Sequence, residues 1–228
     1  VDQIQIAIDL SVASEELINI LLDNPPDENI YREIYETNKQ RPEVLKLLYE
    51  HPLTPEDVRT AVAESLSLPA KTQDEILKAR EEFLSEEAQQ LRTKGLLQQI
   101  QRLNVGERVR LAMKANRQVR NVLIRDSHKE VVLKVLENPK ITDSEVELAA
   151  KNPQLPEEAL RYIAKKKDWI RKYPIVVALV FNPKTPPGIS MQYISRLRTP
   201  DLISLSQNKN VPEMVRNAAK RHLALRRK

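Results

Sequence analysis

The chain has 228 residues, a net charge of +5, 41% hydrophobic and 30% charged residues, a soluble and foldable composition rather than a disordered one. Three Gly against 15 Pro argue against a doubly wound α/β protein or a β-sandwich, both of which draw on glycine for turns and phosphate loops. The absence of Cys excludes disulfides, thiolate metal sites and a cysteine nucleophile, and suits a reducing cytosol.

From the N-terminus, VDQIQIAIDL has no basic leader followed by an apolar core, so no retained signal peptide is expected. ELINILLDNPPDENI at Glu16–Ile30 is the first copy of a recurring phrase: an apolar helix, Asn-Pro or a near equivalent, then a fresh helix start. EVLKLLYEHPLTPEDV at Glu43–Val58 repeats it, with His51 in the Asn position and Pro55 read as the first helical residue. Thr72–Arg92 reads as one long helix that Gly95 ends or kinks, with an apolar stripe resuming at Leu96, Leu97, Ile100 and Leu103. Residues 107–115 and 118–125 form a further pair around Asn116, linked by Asp126-Ser127-His128 to the next helix.

EVVLKVLENPKITDSEV at Glu130–Val146 is the fullest copy. Val131, Val132, Val135 and Leu136 make one apolar face, and Asn138 is expected to end the helix in the left-handed conformation before Pro139. Thr142 and Glu145 have capping-box spacing. Leu155-Pro156 opens a helix through Lys166, Asp168 is read as the cap of a short basic stretch, and Tyr173-Pro174 launches another helix. The phrase returns at Ile175–Ile189 and, worn down, at Asp201–Val215. Repetition of helix pairs that cannot bury their apolar faces alone predicts an all-α, right-handed α-solenoid of stacked antiparallel helix hairpins.

The chain divides into an acidic helical region 1–68, a connecting long helix 69–94 and a basic helical-repeat solenoid 95–228; two parts of one continuous solenoid are the alternative. Residues 1–100 hold 10 Lys/Arg against 20 Asp/Glu, and residues 101–228 hold 27 against 12. Such asymmetry points the halves to different partners or to each other. Repeats of the form (V/L)xxN-P-x-(T/L)-(P/D)-x-E resemble the HEAT-like and leucine-rich-repeat-variant α-solenoids of bacteria. Residues 95–223 are also similar to a family of bacterial helical-repeat proteins without assigned activity. That resemblance implies the solenoid fold and a bacterial source, and no catalytic role. The iron–sulfur cluster of some leucine-rich-variant proteins needs cysteines this chain lacks.

No catalytic, cofactor or metal constellation is read. His51, His128 and His222 have no metal-ligand spacing, and adjacent Asp126, Ser127 and His128 cannot converge as a catalytic triad does. The carboxylates Glu81, Glu82, Glu86 and Glu87 read as a solvated face. The basic residues carry the functional expectation: a first hairpin from Arg108 to Arg125, Lys165–Lys167 with Arg171-Lys172, and Lys220-Arg221 with Arg226-Arg227-Lys228. Arg117, Arg120, Lys166 and Arg171 are the expected partner contacts of a non-enzymatic cytoplasmic scaffold that recruits an acidic protein surface. Phosphate-backbone binding to nucleic acid is the alternative. A HEAT-like DNA glycosylase using Asp168 and Trp169 is a remote third reading, short of the aromatics it would need. No membrane span is expected, and the oligomeric state is open.

Overall fold

A computed structural model describes residues 9–226. Val1–Ile8, which carry most of the leader expectation, and Arg227-Lys228 of the third basic cluster lie outside the described residues. Among the described residues the secondary structure is entirely helical. The chain groups into two compact units, Val1–Val122 and Leu123–Lys228.

In the first unit a short turn at Leu10–Val12 leads into α1 (Glu15–Asp23), α2 (Asn29–Thr37), α3 (Pro42–Glu50), α4 (Glu56–Leu66), α5 (Gln73–Leu84), α6 (Glu86–Arg102), α7 (Val105–Lys114) and α8 (Arg117–Leu123), whose last residue opens the second unit. Five of the nine residues of α1 are buried, because it packs against α2, α3, α6 and α7. Helix α1 also contacts α3, and α2 contacts α4.

The second unit contains α9 (Lys129–Glu137), α10 (Asp143–Lys151), α11 (Glu157–Lys165), α12 (Lys167–Ile170), α13 (Tyr173–Phe181), α14 (Pro187–Ile194), α15 (Thr199–Gln207) and α16 (Glu213–Arg226). Helix α13, YPIVVALVF, is apolar all round because its two sides feed two clusters. Ile175, Ala178 and Leu179 join the core of α9, α10 and α11, whereas Val176 and Val180 join that of α14, α15 and α16.

The Asn-Pro turns end helices differently from the expected left-handed cap. Asn138 has φ −60° and ψ 126°, Asn152 φ −72° and ψ 116°, and Asn182 φ −75° and ψ 123°, all extended. A following proline drives its predecessor out of the helical region and into this one. With the backbone extended, each side chain folds forward: Oδ1 of Asn138, Asn152, Asn182 and Asn208 accepts the N–H two residues on, at 2.9 Å in every case. His51 does the same with a ring nitrogen, Nδ1 accepting from the Leu53 N–H at 3.3 Å. The residue three positions after each turn start donates its N–H back to that residue's carbonyl, as in Thr54, Ile141, Leu155, Thr185 and Val211.

Asn182 has a second role. Its Nδ2 donates to the carbonyls of Ala150 and Asn152 at 2.7 and 2.8 Å, so one turn is tied to the previous one inside a buried contact. The capping boxes at Asn104–Glu107 and Thr142–Glu145 are both formed. Pro55, by contrast, is the N-cap rather than the first helical residue, and Thr54 is buried with its hydroxyl unpaired. The short helix α12 is likewise capped by Lys166, with Asp168 in its first turn. The single helix expected over Thr72–Arg92 is two helices: Ser85 leaves the helical region at ψ 148° and its hydroxyl caps α6 through the Ala88 N–H. Gly95 lies inside α6 and does not end it.

Ser67 has the one positive φ among described non-glycine residues, at 54°. It ends α4 in a Schellman turn, with Leu68 N–H on the Ala63 carbonyl and Ser67 N–H on that of Glu64. Replacing Asn182 by Ala removes both bonds from its Nδ2, to the buried Ala150 carbonyl and to the part-buried Asn152 carbonyl, which keeps the Leu155 N–H, so urea unfolding should show a loss of about 1–3 kcal/mol. Asn208→Ala, which removes the bond from the Asn210 N–H at 2.9 Å, should cost about 1 kcal/mol or less.

Candidate functional site

The sequence expectation gathers cations, and the structure sorts them into two kinds. Arg59, Arg108, Arg120 and Arg216 each donate to the carbonyl five residues earlier, at Thr54, Leu103, Ala115 and Val211, over 2.9–3.0 Å. Each accepting residue immediately precedes a helix start at Pro55, Asn104, Asn116 or Pro212, so the guanidinium locks the turn against the helix that follows. Arg59 goes furthest, with Nη2 also on the carbonyls of His51 and Pro52. Arg41, Arg196 and Arg226 clamp other loop carbonyls in the same manner. A fixed fork of donors on a charged group suits this task, and charge-assisted bonds to backbone are the stronger kind.

Arg120 therefore departs from its expected place at the surface. It is 3% exposed and donates to the Ala115 carbonyl at 2.9 Å, working inside the fold. Arg117 is exposed on the same helix. The sequence carries a signal for these clamps that the charge count hides: an Arg four residues after the Asn or Pro that begins a hairpin's second helix.

In the second unit the exposed cations concentrate where α11 gives way to α12. Lys165, Lys166, Lys167, Arg171 and Lys172 are all exposed within eight residues. Lys166 lies over the Tyr162 ring, with Nζ 5.0 Å from its centroid. The opposing charges are weak company: Asp168 stands 3.7 Å from Arg171 with side chains 92% and 76% exposed, and Asp143 stands 3.1 Å from Lys172 with both about half exposed. Such exposed pairs contribute little and leave the cations available. Trp169 is half-buried and meets Tyr162 edge-on at 5.9 Å, anchoring the short helix against α11. At 92% exposure Asp168 would meet a flipped base in water and not in a closed, desolvated pocket.

Two of the three histidines lie in turns. His51 accepts at Nδ1, places Nε2 3.4 Å from Asp23, and packs against Phe83 at 5.0 Å. At His128 the Ser127 hydroxyl and the Asp126 carboxylate both approach Nδ1, at 3.1 and 3.3 Å. A Ser-His-Asp relay needs them on opposite ring nitrogens, so this cluster is a turn that caps α9. His222 is half-buried on α16.

The described residues of the first unit enclose cavities. One of about 360 Å³ is bounded by Tyr49, Glu56, Arg59, Glu64, Leu68 and Lys71. Tyr49 donates its O–H to the Pro69 carbonyl at 2.6 Å, and Lys71 Nζ rests 4.7 Å from the centre of the Tyr49 ring. Burial pushes the Lys71 amine below its ordinary value, and the Arg59 charge pushes it the same way. The second cavity, about 300 Å³, is bounded in part by Asp23, Phe83 and Arg92. Arg92 is already engaged, over the Phe83 ring at 3.7 Å and donating to the Phe83 carbonyl.

Among the described residues no helix is long and apolar enough to cross a membrane. No protein-family model matches this chain, no curated protein matches it, and no solved structure matches its fold. The two classes of arginine are separable by stability. Arg120→Met should lower unfolding free energy by about 1–3 kcal/mol, because a buried carbonyl loses a charged donor, while Arg117→Met should stay within about 0.5 kcal/mol.

Proposed function

We propose that this protein is a non-enzymatic helical-repeat scaffold whose second unit recruits an acidic protein segment. The observation that carries the reading is the segment Lys165–Lys172 around the short helix α12, which exposes five cations against Asp168 within it and Asp143 beside Lys172. The solenoid reading is supported by the contacts of α1 with α3 and of α2 with α4 in the first unit, and by the Asn182 bonds between consecutive turns in the second. Stacked repeats present side chains at a regular spacing, which favours extended partners over compact small ones. On this reading Lys166 and Arg171 are direct contacts, Arg117 contributes in the first unit, and Arg120 maintains the fold.

Binding to a phosphate backbone draws on the same charges, but it needs many cations tracking a strand. Five arginines of the basic half, Arg108, Arg120, Arg196, Arg216 and Arg226, are turned to carbonyls of their own chain, which removes them from such a track. A compact group of lysines suits a short acidic segment better. Fluorescence anisotropy with a labelled Asp/Glu-rich peptide and a labelled duplex DNA separates the two at near-physiological salt. The peptide should bind, and combined Lys165→Glu, Lys166→Glu, Lys167→Glu and Arg171→Glu reversal should weaken it by at least about tenfold. Tighter binding of the duplex with a steep salt slope, or a peptide affinity indifferent to the reversal, would overturn the reading.

A further inference from the structure

We propose that the first unit's cavity between Tyr49, Arg59 and Lys71 binds a small organic monocarboxylate with an apolar body. The unit is rich in carboxylates, 20 against 10 cations over residues 1–100, so its cations have ample opportunity to pair. Two that share this cavity do not: among the described residues neither Arg59 nor Lys71 has a carboxylate within the 4.0 Å of an ion pair. Arg59 is 4% exposed, its Nη2 holds three turn carbonyls, and its Nε has no hydrogen-bond partner. Lys71 is half-buried, its amine held over the face of Tyr49. Two partly desolvated positive charges lining one cavity raise each other's energy, and an anion beside the Lys71 amine offsets this.

The remaining walls define the rest of the ligand. Ala63, Leu68 and Ile76 supply apolar surface beside the Tyr49 ring. Glu56 and Glu64 also line the cavity, so a dianion such as a phosphate monoester would be repelled where a single carboxylate is tolerated. A volume of about 360 Å³ admits a small aromatic or aliphatic acid. Lys71 is the direct ionic partner and Arg59 a fixed background charge. Tyr49, Glu50 and Glu75 complete the titratable surroundings of the amine. Because burial and the Arg59 charge hold the amine below its ordinary value, carboxylate binding should be strongest when it is protonated and fade as pH rises and it loses its proton.

Nuclear magnetic resonance titration of the full chain with 3-phenylpropanoate, and with its neutral amide as a control, tests this directly. The carboxylate should give saturable shifts at Leu68 and Lys71 while the amide gives none. Lys71→Met should weaken the carboxylate by at least about tenfold, and Lys71→Arg should retain it within about threefold. Equal binding of acid and amide, an unchanged affinity in Lys71→Met, or no saturable shift for the acid would each overturn the site. This cavity and the lysine run of the second unit share no residue, so the outcome is independent of the acidic-partner reading.

Discussion

The structure depends on how its inter-helix turns satisfy their own backbone. A helix end leaves several N–H and C=O groups without partners, and short helices of about nine residues have many ends for their length. Solvent can serve exposed ends, but Asn138 and Asn182 are themselves buried, and buried unpaired groups are costly. The chain answers with side chains. Asparagine or His51 folds forward onto the N–H two residues on, and arginine reaches back to the carbonyl that precedes the next helix. Asn182 extends the same chemistry from its own turn to the one before it.

This arrangement reorganises the meaning of the basic charge. Net charge treats every Arg and Lys alike, whereas the structure turns several arginines to backbone carbonyls and leaves Lys165, Lys166, Lys167 and Lys172 in solvent together with Arg117 and Arg171. Lysine is a compact, strongly hydrated charge and guanidinium a planar fork, so the division follows their chemistry. The same slot four residues into a hairpin's second helix carries Arg59 or Arg216 in some copies. In others it carries Val146 or Leu160, both fully buried. The slot is interior in these copies, and an arginine there is a polar solution to a position that packing otherwise fills.

Much of the hairpin pattern was readable because its signals are local. Apolar spacing set the helix faces, proline set the stops, and Thr142 with Glu145 announced a capping box that is present. The errors arose where two local rules competed. Asn138 can adopt the left-handed conformation, but Pro139 forbids it, and the proline constraint prevailed. At Ser85 the apolar spacing ran on through a serine followed by two glutamates, a start signal that outweighed the continuing stripe. The candidate contacts were less readable. Exposure of Lys166 and burial of Arg120 depend on which carbonyl is near, and that is tertiary information. The Tyr49–Lys71 cavity joins residues from α3, α4 and the segment before α5, which no spacing rule brings together.

The central claim, that side chains lock these turns, is tested most directly by amide hydrogen exchange at the N–H groups the asparagines accept. Lys140, Gln154 and Lys184 are themselves exposed, so burial alone would not slow them. Their amides should exchange at least about tenfold more slowly than unstructured reference amides of the same sequence, through the bonds to Asn138, Asn152 and Asn182. Exchange of all three at unprotected rates would show that the side chains do not hold the turns, and would contradict the account.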